Sequence, residues 1–255
     1  MKSLPNLSVL MRLAGCFALL AALMGCAAPP PKAEVNDPFE TQNRRIHEFN
    51  KSLDKNIVRP LSFAYGENVN ESFRILASNF SSNLGLPGTI LNNTLQGDLG
   101  AAAANSGRFI LNTTIGIGGL ADPAGEFGLR EQGSDFGETL HVWGVGEGVY
   151  IESPIFGPST TRDTVGRVVD FVIDPLNSVI KAPESYYTTG TKVASGLGTR
   201  YRFANTVDSI LYESADSYAQ SRLIYLQNRR FDLGQSATTT GVDTEGDIYD
   251  DLFFE

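Results

Sequence analysis

Residues 13–24, LAGCFALLAALM, form a twelve-residue apolar run that ends just before Gly25-Cys26. As a helix the run spans about 18 Å at ~1.5 Å per residue, short of the ~30 Å hydrocarbon core of a bilayer. Lys2 and Arg12 precede it, and no acid does. The segment therefore reads as the apolar part of an export signal rather than a membrane span. Everything after it has to fold outside the cytoplasm.

Leu23-Met24-Gly25-Cys26 looks like a bacterial lipobox, in which the Cys26 thiol receives a diacylglycerol and becomes the first residue of the mature chain. Leu13-Ala14-Gly15-Cys16 fits the same pattern, but it follows Arg12 directly with no apolar run ahead of it. Cys16 then belongs to the removed signal, residues 1–25. Several acyl chains, at ~0.8 kcal/mol per buried methylene, anchor far more firmly than one. Ala27 rather than Asp follows the anchor. By resemblance to the lipoprotein sorting rule, this implies an outer-membrane lipoprotein facing the periplasm.

Residues 26–36 read as a lipidated, Pro-rich tether. The mature charge is 18 − 29 = −11, because two of the 20 bases and none of the 29 acids lie in 1–25. That balance argues against nucleic acid as a partner, since such affinity comes largely from clustered Lys and Arg. Cys16 and Cys26, with His47 and His141, are too few for a disulfide scaffold or a four-ligand Cys or His-rich metal site. No later segment has 18 consecutive apolar residues, so no spanning helix is expected.

Residues 37–230 read as a domain of amphipathic helices. Asp37-Pro38-Phe39-Glu40 predicts a helix start, with Asp37 as cap and Glu40 closing a capping box. Ile46, Phe49, Leu53 and Ile57 follow at helical spacing, and Pro60 is expected to end that helix. Val69, Phe73, Leu76, Phe80 and Leu84 make a second stripe, with a break expected at Pro87-Gly88 and a short apolar piece over 89–96. A third helix opens at Gln96-Gly97-Asp98 and carries Leu99, Ala102, Ala103, Ser106, Phe109, Ile110 and Thr113 on one face. Residues 141–158 are the only strand-like stretch and suit a short hairpin or loop. Val165, Val168, Val169 and Val172 predict a helix over 160–174, stopped at Asp174-Pro175. A long last helix is expected over roughly 200–230, with Val207, Ile210 and Leu211 on one face. Residues 231–255 hold seven acids and no base, the composition of a disordered tail. Such stripes normally form a core. A lipid-anchored chain lies against a bilayer, where an apolar face can bury itself in lipid instead.

The motifs of chemistry are weak. Gly116-Ile117-Gly118-Gly119-Leu120-Ala121 matches G-x-G-x-x-A, but Pro123 follows and no second βα unit does, so a dinucleotide site is rejected. The glycines suit a hinge or a close backbone approach. His47-Glu48 lacks the second histidine of H-E-x-x-H, and G-x-S-x-G is absent. His47 reads as a rim or packing residue, and Ser134 as a turn residue. No enzyme activity and no cofactor are expected. No G-x-x-x-x-G-K-[ST] occurs, so any driving force must come from partners.

An ordered set of short motifs is nonetheless specific. It runs Asp37-Pro38-Phe39-Glu40, Asn43-Arg44, Phe49-Asn50, Arg59-Pro60, Asn79-Phe80-Ser81-Ser82-Asn83-Leu84 and Leu95-Gln96-Gly97-Asp98. It continues with Arg108-Phe109-Ile110-Leu111-Asn112-Thr113, Gly116-Ile117-Gly118-Gly119, Asp135-Phe136-Gly137-Glu138-Thr139-Leu140, Trp143-Gly144-Val145 and Gly157-Pro158-Ser159-Thr160-Thr161-Arg162-Asp163. Over about 36–180 it resembles the VacJ/MlaA family of outer-membrane lipoproteins. The resemblance implies an all-α, ring-like arrangement of amphipathic helices with a central channel and a short hairpin or gating loop. It implies removal of mislocalised phospholipids from the outer leaflet and their transfer to a periplasmic lipid carrier of the Mla type. A trimeric porin is the implied partner in the membrane. On that reading Phe109, Gly116, Ile117, Gly118, Gly119, Leu120 and Phe127 are expected near the channel or its gate. The rival readings are a structural tether without lipid transport and a lipoprotein hydrolase.

Overall fold

The computed structural model describes residues 35–176 and 180–235. The expected signal, Cys26 and most of both the tether and the tail lie outside them. The compact unit begins at Asp37. It is built from helices, with one two-stranded hairpin among the described residues.

Helix α1 (Glu40–Leu53) passes through a wide π turn (Asp54–Val58) straight into α2 (Arg59–Asn68). The expected stop at Pro60 does not occur. Pro60 falls in the first turn of α2, where its missing N–H and fixed φ are tolerated. Asp37 is not the cap of α1 either. Phe39 takes the N-cap position without a side-chain bond. The Asp37 carboxylate instead accepts from Asn43 Nδ2 (2.8 Å), the Tyr218 hydroxyl and Arg222. Glu40 pairs with Arg44 at 2.8 Å rather than closing a box. Strong donors from the far end of the chain outcompete the local N–H groups.

Helix α3 (Glu71–Gln96) is continuous, so the break expected at Pro87-Gly88 is also corrected. Asn70 caps it through Ser72 N at 2.9 Å, and Gly97 closes it at φ 80°. Pro87 removes one interior hydrogen bond, but α3 packs against α4 (Leu99–Thr114) and against α8 (Glu184–Arg202). Burial of Asn83, Leu84, Leu86, Asn92 and Asn93 holds the turn that propensity alone would open.

Asp98, Asp122 and Asp135 cap α4, the short α5 (Pro123–Glu126) and α6 (Phe136–Val142). The hairpin pairs β1 (Tyr150–Ser153) with β2 (Gly157–Thr160), Tyr150 opposite Thr160. Thr160 then caps α7 (Thr161–Ile173) through Asp163 N at 3.2 Å. The expected long last helix is several pieces. Helix α8 ends at Arg202, α9 (Ala204–Asp208) runs into a π turn (Ser209–Glu213), and α10 (Ser217–Asp232) restarts under the Asp216 cap. An Asp before a Ser is a good helix start, and here it beats continuation.

The polarity of the packing is inverted. Asn43, His47, Asn83, Asn92, Asn105, Arg108, Asn112, Glu152, Arg162 and Asp163 are buried, while the buried apolar residues are few, Leu84, Leu86, Leu140, Tyr150 and Leu226 among them. The stripes point outward. Phe49 is 53 % exposed, Phe73 66 %, Ile110 60 % and Val172 73 %. On α4 the buried residues are Ala101, Ala102, Asn105, Arg108 and Asn112, so of the face the spacing selects Ala102 is buried while Leu99 and Ile110 are exposed. Of the second stripe Leu84 is buried, and Phe73 is not. No helix among the described residues is long and apolar enough to cross a membrane.

Candidate functional site

Ion pairs hold this polar interior together. Arg200 reaches Asp54 (2.8 Å) and Asp208 (2.6 Å), joining α8 to the first π turn and to the end of α9. Arg229 of α10 reaches Asp135 (2.7 Å) and Asp163 (3.0 Å), joining α6 to α7. Burial alone would raise the Asp163 carboxyl, but hydrogen bonds from Tyr225 and Arg229 outweigh it and hold the group below its usual range. Asp122 is held down in the same way by Asn112 and Arg108 against its burial.

Around this frame lies a cavity of about 600 Å³. Its lining is mixed. Leu84 of α3, Phe156 at the hairpin turn, Phe171 of α7, Leu176 and Ile180 are apolar, while Asp170, Asp174 and the α8 residues Ser185, Thr188, Thr189 and Lys192 are polar. A smaller, polar cavity of about 240 Å³ between α6, α7 and α10 shares Asp170 with it. Asp170 accepts from Asn92 Nδ2 (2.8 Å) and from the Phe136 N–H (3.0 Å). Burial pushes its carboxyl above the usual range despite those bonds.

The glycine-rich loop stands elsewhere. Its inner side is clamped: Asn79 Nδ2 donates to the Leu120 carbonyl and Asn83 Nδ2 to Thr113 Oγ1, both at 3.1 Å. Gly116 and Gly119 are buried, and a Cβ on Gly116 would stand 2.4 Å from the Asn112 carbonyl oxygen. Ile117 takes φ 54°, unusual for a β-branched residue, and Gly118 follows at φ 70°. Ile117 (75 %), Leu120 and Phe127 (70 %) project outward, and Phe109 is half-buried. None of the seven residues singled out in the sequence lines either cavity.

Other sequence candidates have structural places. His47 is a packing residue, buried with Nδ1 3.4 Å from Glu152 and Nε2 3.1 Å from Ser217 Oγ. His141 stands apart at the end of α6, held below its usual range by burial first and then by Arg162 and Arg229. Ser134 accepts from Gln96 at 2.6 Å. Among the described residues no cluster of His, Cys, Asp and Glu is arranged to hold a metal ion. Sequence reading missed Asp170 and Lys192 and took Asp174 only as a helix stop. Part of the signal was there, since Asp170 interrupts the apolar Val168–Ile173 segment and Asp174 ends it, at i, i+4 spacing.

Comparison with known proteins identifies the relatives. The family model described as MlaA lipoprotein matches residues 35–232. The chain belongs to the MlaA family. A Shigella flexneri member, named an intermembrane phospholipid transport system lipoprotein, is 36 % identical over 82 % of this chain and 83 % of its own length. The Escherichia coli member of the same name matches to the same extent. A Rickettsia bellii protein without an assigned role is 35 % identical over 77 % of this chain and 76 % of its own. A solved structure, described as the structural basis for maintenance of bacterial outer membrane lipid asymmetry, superposes with a TM-score of 0.67 at 35 % identity. It covers 77 % of this chain and 98 % of that one. The inverted polarity described above is thus the packing of an MlaA family member.

Proposed function

We propose that this chain is an outer-membrane lipoprotein that takes mislocalised phospholipids from the outer leaflet and passes them to a periplasmic carrier, maintaining lipid asymmetry. The observation that carries the reading is the 600 Å³ cavity lined by both apolar and polar residues, in a molecule that leaves many large apolar side chains exposed. The names of the Shigella and Escherichia relatives support it. A two-tailed lipid needs an oily wall for its chains and a polar wall for its headgroup. Phe156, Phe171, Leu176 and Ile180 offer the first. Ser185, Thr188 and Thr189 offer hydroxyls for the second, and the Lys192 ammonium offers a phosphate its counter-charge.

The cavity on this reading is part of a central channel in a ring of helices, and transfer is passive, driven by the partners that remove the lipid. Cys26 carries the acyl anchor in the outer membrane, facing the periplasm. A trimeric porin is the partner in the membrane. The exposed Phe73, Ile110, Val168 and Val172 bury themselves in lipid. The 116–120 loop, with Phe109 and Phe127, forms the apolar rim or gate, supported by the outward Ile117, Leu120 and Phe127.

The test is outer-leaflet phospholipid, measured with an amine-reactive probe on intact cells, in a deletion strain and a Cys26→Ala strain. A rise in both supports retrieval by an anchored protein. A rise in the deletion alone means that the outward apolar faces hold the membrane without the acyl anchor. No rise in either overturns the transport reading in favour of a structural tether.

A further inference from the structure

The lumen side of the proposed passage is unequal in charge. Among the described residues, the 600 Å³ cavity carries two carboxylates, Asp170 and Asp174, against one cation, Lys192. None of the three has an ion-pair partner among the described residues. The adjoining cavity shares Asp170 and adds more acid than base. There Arg229 is already occupied by Asp135 and Asp163. Arg167 is partly occupied too, its guanidinium lying 5.5 Å from the centre of the Phe156 ring.

A lipid phosphate alone brings a negative charge to this lumen and can meet only Lys192. A headgroup that also carries an ammonium meets a carboxylate as well. Asp170 is suited to that contact. It is half-buried, and its two backbone and amide donors fix its orientation without neutralising it. Burial without a counter-charge is what raises its carboxyl, and an arriving cation supplies what is missing.

We propose that Asp170 and Asp174, in the cavity that Lys192 also lines, form a headgroup subsite that prefers phospholipids bearing an ammonium group, such as phosphatidylethanolamine, over purely anionic ones such as phosphatidylglycerol. The subsite rests on the lipid-passage reading and names its substrate class. The phosphate sits at Lys192 and the ammonium at Asp170 or Asp174, while the acyl chains lie on Phe171 and Leu176.

The full lipidated chain, purified in detergent, is offered equimolar phosphatidylethanolamine and phosphatidylglycerol with identical acyl chains, and bound lipid is read by native mass spectrometry. The wild type is expected to retain the ethanolamine lipid about threefold over the glycerol lipid, the size of one solvent-accessible charge contact. Asp170→Asn with Asp174→Asn is expected to bring the ratio to about one with total bound lipid unchanged. Lys192→Gln is expected to lower both lipids together and keep the preference. Asp170 accepts from the Phe136 N–H as well as from Asn92, whereas the Asp174 carboxylate accepts from Leu176 N among the described residues, so Asp174→Asn alone is the milder variant and should lower the ratio part-way. A wild type that retains both lipids equally, or carboxamide variants that keep the wild-type ratio, overturns the subsite and leaves lipid passage standing. A wild type that retains no lipid overturns the passage reading itself, and the subsite with it.

Discussion

Asn83 occupies the space that a side chain on Gly119 would need. A Cβ built there lies 2.5 Å from Asn83 Nδ2, and Gly119 itself takes φ 94°. Gly119→Ala therefore meets both a clash and a forbidden backbone region. We expect it to lower unfolding free energy by about 2 kcal/mol, measured by denaturant titration in detergent. Asn83 Cβ itself would stand 2.6 Å from the new Cβ, so only Asn83→Gly clears the space, and in that background Gly119→Ala should keep the backbone cost but lose the clash. An equal cost of Gly119→Ala in the wild-type and Asn83→Gly backgrounds would show that no clash exists.

Arg229 is a largely covered cation between two aspartates, 14 % exposed at its side chain. Removing it leaves Asp163, 6 % exposed, with Arg162 as its remaining cation and Tyr225 as a neutral donor. Arg229→Ala should cost about 3–5 kcal/mol, the range for breaking a buried pair from one side. Arg44→Ala, a change in a half-exposed pair with Asp216, should cost under about 1 kcal/mol. A chemical melt of both variants checks the contrast.

The Arg44 pair has a pH signature all the same. Hydrogen bonding from Arg44 is the main cause that holds the Asp216 carboxyl down at about 2. A depressed carboxylate stabilises the fold above its unfolded value of about 3.9, and that contribution disappears as pH falls towards 2. Asp163, also depressed, acts in the same direction. Arg44→Ala should therefore lose less stability than wild type on acidification from about pH 4 to 2, and the difference should shrink in high salt.

The outward apolar side chains should separate stability from membrane attachment. Val168 and Val172 are 62 % and 73 % exposed and line neither cavity, so changing them to Ser removes almost no packing. Unfolding in detergent should stay within about 0.5 kcal/mol of wild type. Co-flotation of the protein with vesicles should fall, because each lipid-buried side chain of this size is worth about 1.5–3 kcal/mol.

Thr188 offers a last contrast. It lines the large cavity from α8, and Thr188→Phe should narrow it with little effect on the fold. Outer-leaflet phospholipid should then rise towards the deletion level, while the chain remains at wild-type abundance in the membrane fraction.

Helices α1, α3, α4 and α7 were legible in the sequence, and so was the hairpin, because apolar spacing is a local signal, while α6 and nearly all of α8 were not expected. Helix ends at prolines were not. Pro60 and Pro87 both lie in continuous helical backbone, since a π turn ahead of one and packing on both flanks of the other outweigh the local rule. Which face turns inward was the deeper difficulty. On α4 the spacing marks Leu99, Phe109 and Ile110, while Asn105, Arg108 and Asn112 do the packing. A hydrophobic stripe shows that two faces differ, but not which of them meets protein. Asp170, Asp174 and Lys192 went unnoticed as a group because they converge from α7 and α8 only in three dimensions.

The inverted packing has a consequence for the chain's journey. In water a surface bearing Phe49, Phe73, Ile110, Phe171 and Phe231 in the open is an invitation to self-association. The hydrogen-bonded interior offers that oil no place to retreat. On the proposed outer-membrane reading, crossing the aqueous space between two membranes is the hazardous stage of this protein's life, and arrival in a bilayer ends its exposure.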